Sequence, residues 1–115
     1  GLGTTLNFPL NAFAGDSIYL DIVENKLIPA IQAFKPELII ISAGFDAHED
    51  DPLAQMRVSS DCYGQMTAMI LKVAEEICDG RLLSMLEGGY NHKALADSVF
   101  EHINVLATGL EEESF

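Results

Sequence analysis

Leu38-Ile39-Ile40-Ile41 sets four branched apolar residues in an unbroken row, and that row restricts the fold more than any other feature. A strand with one wet face alternates apolar and polar residues. One that is apolar at every position is built to be covered on both faces, as strands of parallel sheets are. Parallel neighbours need long crossover connections, usually helical, and the flanking sequence supplies them.

The chain reads as strand, helix, strand, helix, strand, helix. Thr4 to Leu10 is a short β-type run, with Pro9 near its end where a missing N–H is tolerated. Asn11 to Gly15 is a turn-rich connector. Asp16 can cap the helix that follows, in which Ile18, Ile22, Ile28 and Ile31 recur near helical spacing. Pro29 predicts a kink or break there. Phe34-Lys35-Pro36-Glu37 leads into the strand Leu38 to Ser42. After an acidic stretch from Gly44 to Arg57, Val58-Ser59-Ser60-Asp61 supplies an apolar residue ahead of capping candidates. The next helix carries Tyr63, Met66, Met69, Ile70, Val73 and Ile77 on one face and stops at Asp79-Gly80. Leu82 to Leu86 is the third strand, and Glu87-Gly88-Gly89 a glycine turn. A last helix, about Lys93 to Ala107, turns Leu95, Val99, Ile103 and Leu106 inward, and Glu111 to Glu113 form a solvated tail. Repeated βα units imply an α/β fold with a mostly parallel sheet and chemistry at the carboxyl ends of its strands.

Charge removes whole classes of partner. Six basic against eighteen acidic side chains leave a formal charge of −12 in 115 residues. Nucleic-acid phosphates and anionic membrane surfaces are repelled, and no apolar run approaches the ~20 residues of a membrane span. The 49% hydrophobic content suits a folded domain rather than an acidic tail. Cys62 and Cys78 lie on the same expected helix, ~24 Å apart at ~1.5 Å per residue, too far for a disulfide. They read as reduced structural thiols, compatible with a cytoplasmic compartment. The chain starts at Gly1 with no methionine or leader, and the expectation is a piece of something longer or a processed product.

Two loops at strand ends hold the unusual residues. The first, Ser42-Ala43-Gly44-Phe45-Asp46-Ala47-His48-Glu49-Asp50-Asp51-Pro52-Leu53, offers Asp46, His48, Asp50 and Asp51 as donors. A carboxylate just beyond a strand end is held rigidly enough to serve as a metal ligand or a base. An Asp- and Pro-rich loop also makes turns and caps without any metal. The second loop, Leu86-Glu87-Gly88-Gly89-Tyr90-Asn91, pairs glycines that permit close backbone approach with a tyrosine able to donate to a developing oxyanion. A glycine turn followed by a packing tyrosine would look the same.

Together, GFDAHEDDPL after a buried strand and LEGGYN after the next resemble the zinc-dependent histone deacetylase superfamily. The likeness is to bacterial class II-like members, acetoin-utilisation proteins and acetylpolyamine amidohydrolases. AFKPELIIISAGFDAHEDDPLAQMRVS and GLGTTLNFPL extend it over nearly the whole chain. The resemblance implies a three-layer αβα arrangement, part of the arginase/deacetylase fold. It implies Asp46 as a zinc (Zn2+) ligand and Tyr90 as the residue that hydrogen-bonds the acetyl carbonyl and the oxyanion. Gly88 and Gly89 would frame that site, and Leu53 would line the tunnel for an acetylated lysine or acetylated amine. The chemistry implied is metal-assisted amide hydrolysis. A phenol suits the carbonyl because its ordinary pKa of about 10 keeps the proton on near neutral pH.

The resemblance also implies two further zinc ligands, from a separate D-x-H motif expected ahead of this segment, and a pair of adjacent histidines; no HH dipeptide and no D-x-H motif of that kind occurs here. Residues 1–115 therefore read as the C-terminal portion of a deacetylase catalytic domain, inactive alone. His48 reads as loop structure or as part of the outer shell of the metal site, Asp50 and Asp51 as residues that cap or organise the loop, and His92 and His102 as surface residues. Strand edges and apolar faces left bare predict self-association or docking with the missing part. The competing readings are a non-catalytic α/β interaction module and an arginase-like manganese hydrolase. The second expects D-x-D where this chain has Asp46 and His48. A nucleotide-binding domain lacks its glycine fingerprints.

Overall fold

The computed structural model describes residues 3–44, 58–88 and 92–109. The first helical stretch runs from Asp16 to Phe34 as α1 (Asp16–Ile22), a π-helical turn (Val23–Leu27) and α2 (Ile28–Phe34). The expected disturbance at Pro29 takes the form of that widened turn. Proline lacks the N–H for the ladder and crowds the carbonyl one turn back, and a π turn re-spaces the backbone at that point. Lys35, left-handed at φ 55°, closes α2, and Pro36 prevents its resumption.

β1 (Ile39–Gly44) and β2 (Leu82–Gly88) are parallel neighbours, joined by the crossover helix α3 (Ser60–Cys78). Ser59 caps α3, its hydroxyl accepting from Cys62 N at 3.1 Å. Left-handed Asp79 and Gly80 end it, with Gly80 N donating to the Ala74 carbonyl at 3.0 Å. Arg81 Nε reaches the Glu37 carbonyl at 2.7 Å, tying the start of β2 to the approach of β1. α4 (His92–Thr108) packs along α3. Gly64 permits their close approach, because a Cβ there would meet Glu101 Cβ at 3.4 Å and Oε2 at 3.3 Å.

The core gathers Ala43, Val58, Cys62 and Tyr63, with Tyr19, Leu20, Ile41, Met66, Leu95 and Val99 packed around them. All of it lies on one side of the sheet. On the other, Ile40, Leu83 and Met85 are 55%, 50% and 46% exposed. Coverage of both faces is therefore corrected for the described residues. They build two layers, and the side that a third layer would cover is bare.

Three further expectations change. Thr4 to Leu10 forms no strand: β propensity is realised only where a neighbouring strand completes the ladder, and the described sheet contains β1 and β2 alone. Asp16 is the first residue of α1 rather than its cap, which is Gly15. Its carboxylate goes elsewhere. On α4, Ile103 is exposed while Ser98 and His102 are buried, so the inward stripe is more polar than expected.

Candidate functional site

The carboxyl ends of β1 and β2 stand side by side. Pairing runs Ile39 with Leu82 through Ala43 with Leu86, then shifts so that Gly44 faces Gly88. Glu87 is the extra residue of this irregularity, a bulge of the kind that re-aims a chain next to functional sites. Glu87 and Gly88 thus belong to β2, correcting the glycine-turn reading at those two positions.

This register sets the first residues of the two motifs opposite each other: Gly44 opens GFDA and Gly88 opens GGY, and paired strands lie ~4.8 Å apart. In the sequence, Asp46 and Tyr90 each follow two residues after a paired glycine. Asp46, His48, Asp50, Asp51, Leu53, Gly89 and Tyr90 themselves lie outside the described residues, as does the side chain of His92. Among the described residues no three His, Cys, Asp or Glu side chains gather as metal ligands.

A cavity of about 150 Å³ lies beneath these strand ends, lined by Ser42 and Gly44 of β1, Tyr63 and Thr67 of α3, and His102 of α4. His102 was read as a surface residue, but it is buried. Its Nδ1 lies 2.7 Å from Thr67 Oγ1 and its Nε2 2.7 Å from Ser84 Oγ. The Thr67 hydroxyl spends its single proton on the Tyr63 carbonyl at 2.6 Å, so it accepts from His102 Nδ1–H. A neutral ring then accepts from Ser84 at Nε2. The ring therefore joins α3, α4 and β2 under the loop exits. The spacing Leu95, Ser98/Val99, His102 was the signal for this inward position.

Burial pushes the His102 pKa below its ordinary value. The unfolded chain, at about 6.5, then binds more protons than the folded one as pH falls. The stability contributed by neutral His102 is complete above about pH 6.5 and is lost as pH drops through the folded-state value. The melting temperature is expected to fall between pH 7 and 5, and thermal melts of His102→Gln should show a shallower fall.

Asp16 is a residue the sequence placed in the wrong role. Ser59 N donates to its Oδ1 at 2.7 Å and Ser59 Oγ donates to its Oδ2 at 2.6 Å. It therefore fastens the start of α1 to the start of α3, where the chain returns from the first loop. Next to it, Cys62 is fully buried. Burial, then the Asp16 charge and hydrogen bonding, push the Cys62 thiol up to about 12, which keeps it protonated and unreactive. Cys78 is likewise buried and free.

No helix among the described residues is long and apolar enough to cross a membrane. A family model, the histone deacetylase domain, matches residues 1–106. Histone deacetylase 14, chloroplastic, of Arabidopsis thaliana is 42% identical over 106 residues, covering 92% of this chain and 25% of that protein. The histone deacetylase-like amidohydrolase of Pseudomonas aeruginosa is 42% identical over 91 residues, covering 79% of this chain and 24% of that protein. The solved structure of the histone deacetylase Clr3 superposes with a TM-score of 0.84 at 33% identity, covering 91% of this chain and 17% of that one. This chain spans about a quarter or less of the length of the curated relatives it matches. Sequence and fold agree across both strands and the helices that pack on them: the chain, an α/β piece of the arginase/deacetylase fold, belongs to the histone deacetylase family.

Proposed function

We propose that this chain is the C-terminal portion of a zinc-dependent deacetylase domain of the bacterial class II-like type, hydrolysing acetylated lysine or acetylated amines. The observation that supports it best is the pairing of Gly44 with Gly88, which starts GFDA and GGY from adjacent points on a rigid sheet. Asp46 supplies one oxygen ligand, a donor type zinc accepts, and the remaining ligands come from outside this chain. When bound, zinc supplies Lewis-acid polarisation of the amide carbonyl and of water.

The other roles belong to this chain's own side chains. Tyr90 donates its phenol O–H to the carbonyl oxygen as negative charge builds there. Leu53 lines the acyl passage and keeps water from it, while Gly88 and Gly89 leave room for the carbonyl. The charge of −12 favours cationic substrates, either polyamines or lysine-rich peptides. The free buried thiols fit a reducing, cytoplasmic setting. The test is zinc-dependent acetate release from an acetyl-lysine peptide and from an acetylpolyamine. The whole protein is expected to turn over at least one of them, and this chain alone neither. Activity of the whole protein that survives complete zinc removal defeats the reading, and robust zinc-dependent turnover by the isolated chain defeats its incompleteness.

The bare sheet face favours docking on the rest of that domain. Ile40, Leu83 and Met85 are apolar where a parallel strand expects cover, and each contributes about 1.5–3 kcal/mol when fully buried. The isolated chain is expected to self-associate through this face. Leu83→Lys combined with Met85→Lys should shift it toward monomer in size-exclusion chromatography with light scattering. A clean monomer of the unmodified chain would sink the proposal.

A further inference from the structure

Among the described residues of α4, the two that are buried are Ser98 and His102, so this helix docks on α3 and the sheet largely through polar side chains. Ser98 Oγ lies 3.4 Å from Ser60 Oγ, and Glu101 lies over Gly64. Leu95 and Val99 add apolar contact but are only partly buried. The fully buried Val58, Cys62 and Val73 belong instead to α3 and the residues just ahead of it. The attachment of α4 therefore depends on hydrogen bonding, and His102 supplies two bonds of 2.7 Å, to Thr67 of α3 and Ser84 of β2. The neutral ring completes both, donating from Nδ1 and accepting at Nε2. A proton arriving at Nε2 turns that acceptor into a donor. Ser84 can rotate its hydroxyl to accept, but two hydroxyls then face a buried cation and replace little of the hydration that an imidazolium has in water. Lifting α4 restores that hydration, and the cavity of about 150 Å³ beside the ring gives water a way in.

We propose that His102 is an acid-sensitive latch: neutral, it fastens α4 to α3 and β2; protonated, it lets α4 detach while α3 and the sheet stay packed. Opening of one element ahead of the whole is the ordinary behaviour of a segment with few buried apolar contacts. In the docked helix, burial holds the ring below its ordinary pKa, whereas a detached ring titrates at about 6.5. Detachment is therefore independent of pH above about 6.5 and grows more favourable as pH falls below it. At pH 5 the gain has a ceiling of about 30-fold, the ratio of charged to neutral ring at its ordinary pKa. The other ionisable groups near the ring are few among the described residues. Tyr63 of α3 lines the same cavity, to which β1 contributes Ser42 and no titratable side chain. On α4 the neighbouring Glu101 turns to Gly64, and Asp97 pairs with Lys93. The described side chains of β2 are Leu82, Leu83, Ser84 and Met85.

The experiment is deuterium exchange of the whole protein at about pH 7.5 and pH 5, corrected for the intrinsic pH dependence of amide exchange. Protection of α4 is expected to fall by roughly 5- to 30-fold at the lower pH, while that of α3 changes by less than about twofold. His102→Gln should leave α4 equally protected at both pH values. Glu101→Gln, which removes the nearest carboxylate on α4, should keep the wild-type dependence. Ser84→Ala takes away the bond that the neutral ring accepts, so release of α4 should begin at a higher pH. Unchanged protection of α4 between the two conditions overturns the latch. Equal loss across α3 and α4 also overturns it, since that is acid unfolding of the whole. A pH dependence that survives in His102→Gln, or vanishes in Glu101→Gln, assigns the effect to another group and overturns it too. Should His102→Gln not fold, release of α4 at an unshifted pH in Ser84→Ala does the same.

Discussion

Asp46→Ala in the whole protein is expected to lower kcat/KM by about 10³-fold and to release zinc at chelator concentrations the wild type withstands. The size follows from what a metal contributes. Stabilising the charge that develops on a polarised carbonyl is worth several kcal/mol, and each ~1.4 kcal/mol is tenfold in rate. In the proposed site the ligand follows two residues after the paired Gly44, so removing it would forfeit both affinity and geometry. His48→Ala is the matched comparison, because His48 is the only other donor two residues away and its proposed part is structural. Its effect should stay within about tenfold. If His48→Ala releases zinc as readily as Asp46→Ala, the arginase-like reading gains and the assignment of a single ligand to this loop fails. Metal content by mass spectrometry and turnover on the acetyl-lysine peptide, measured on the same samples, separate these cases.

The parts legible from sequence are those whose signals are local. The apolar row at Leu38–Ile41 announced β1, Val58-Ser59 announced the cap of α3, and Asp79-Gly80 its end. Each is decided within a few residues by backbone preference or by one hydrogen bond. What failed depends on partners distant in the chain. Thr4 to Leu10 has strand composition but no strand beside it to complete a ladder. Asp16 sits where a cap belongs, yet its carboxylate bonds a residue 43 positions on. His102 has the inward spacing of α4 as much as Ile103 does, and hydrogen bonds with the hydroxyls of Thr67 and Ser84 help offset the burial of the imidazole. The site divides the same way. The chemistry proposed for it rests on what a carboxylate and a phenol in GFDA and GGY can do, and Asp46 and Tyr90 lie outside the described residues. The bulge that aligns Gly44 with Gly88 was not legible, since nothing in LLSMLEGG alone says that Glu87 is the extra residue.

Tyr90→Phe is expected to lower kcat by about 10²–10³-fold while KM and zinc content remain close to wild type. The removed atom is one oxygen at the end of a ring that otherwise keeps its shape, so packing is nearly unchanged. In the ground state the amide oxygen carries a partial charge and gains modestly from a phenol donor. As water adds to the carbonyl carbon, that oxygen becomes an oxyanion and the same hydrogen bond strengthens. An interaction stronger in the transition state than in the ground state appears in kcat and hardly in KM. A rise in KM with kcat preserved would instead make Tyr90 a substrate-holding residue and remove it from the chemistry. Loss of zinc from the Phe variant would point to a disturbed strand end, since the role proposed for the phenol gives it no part in holding the metal.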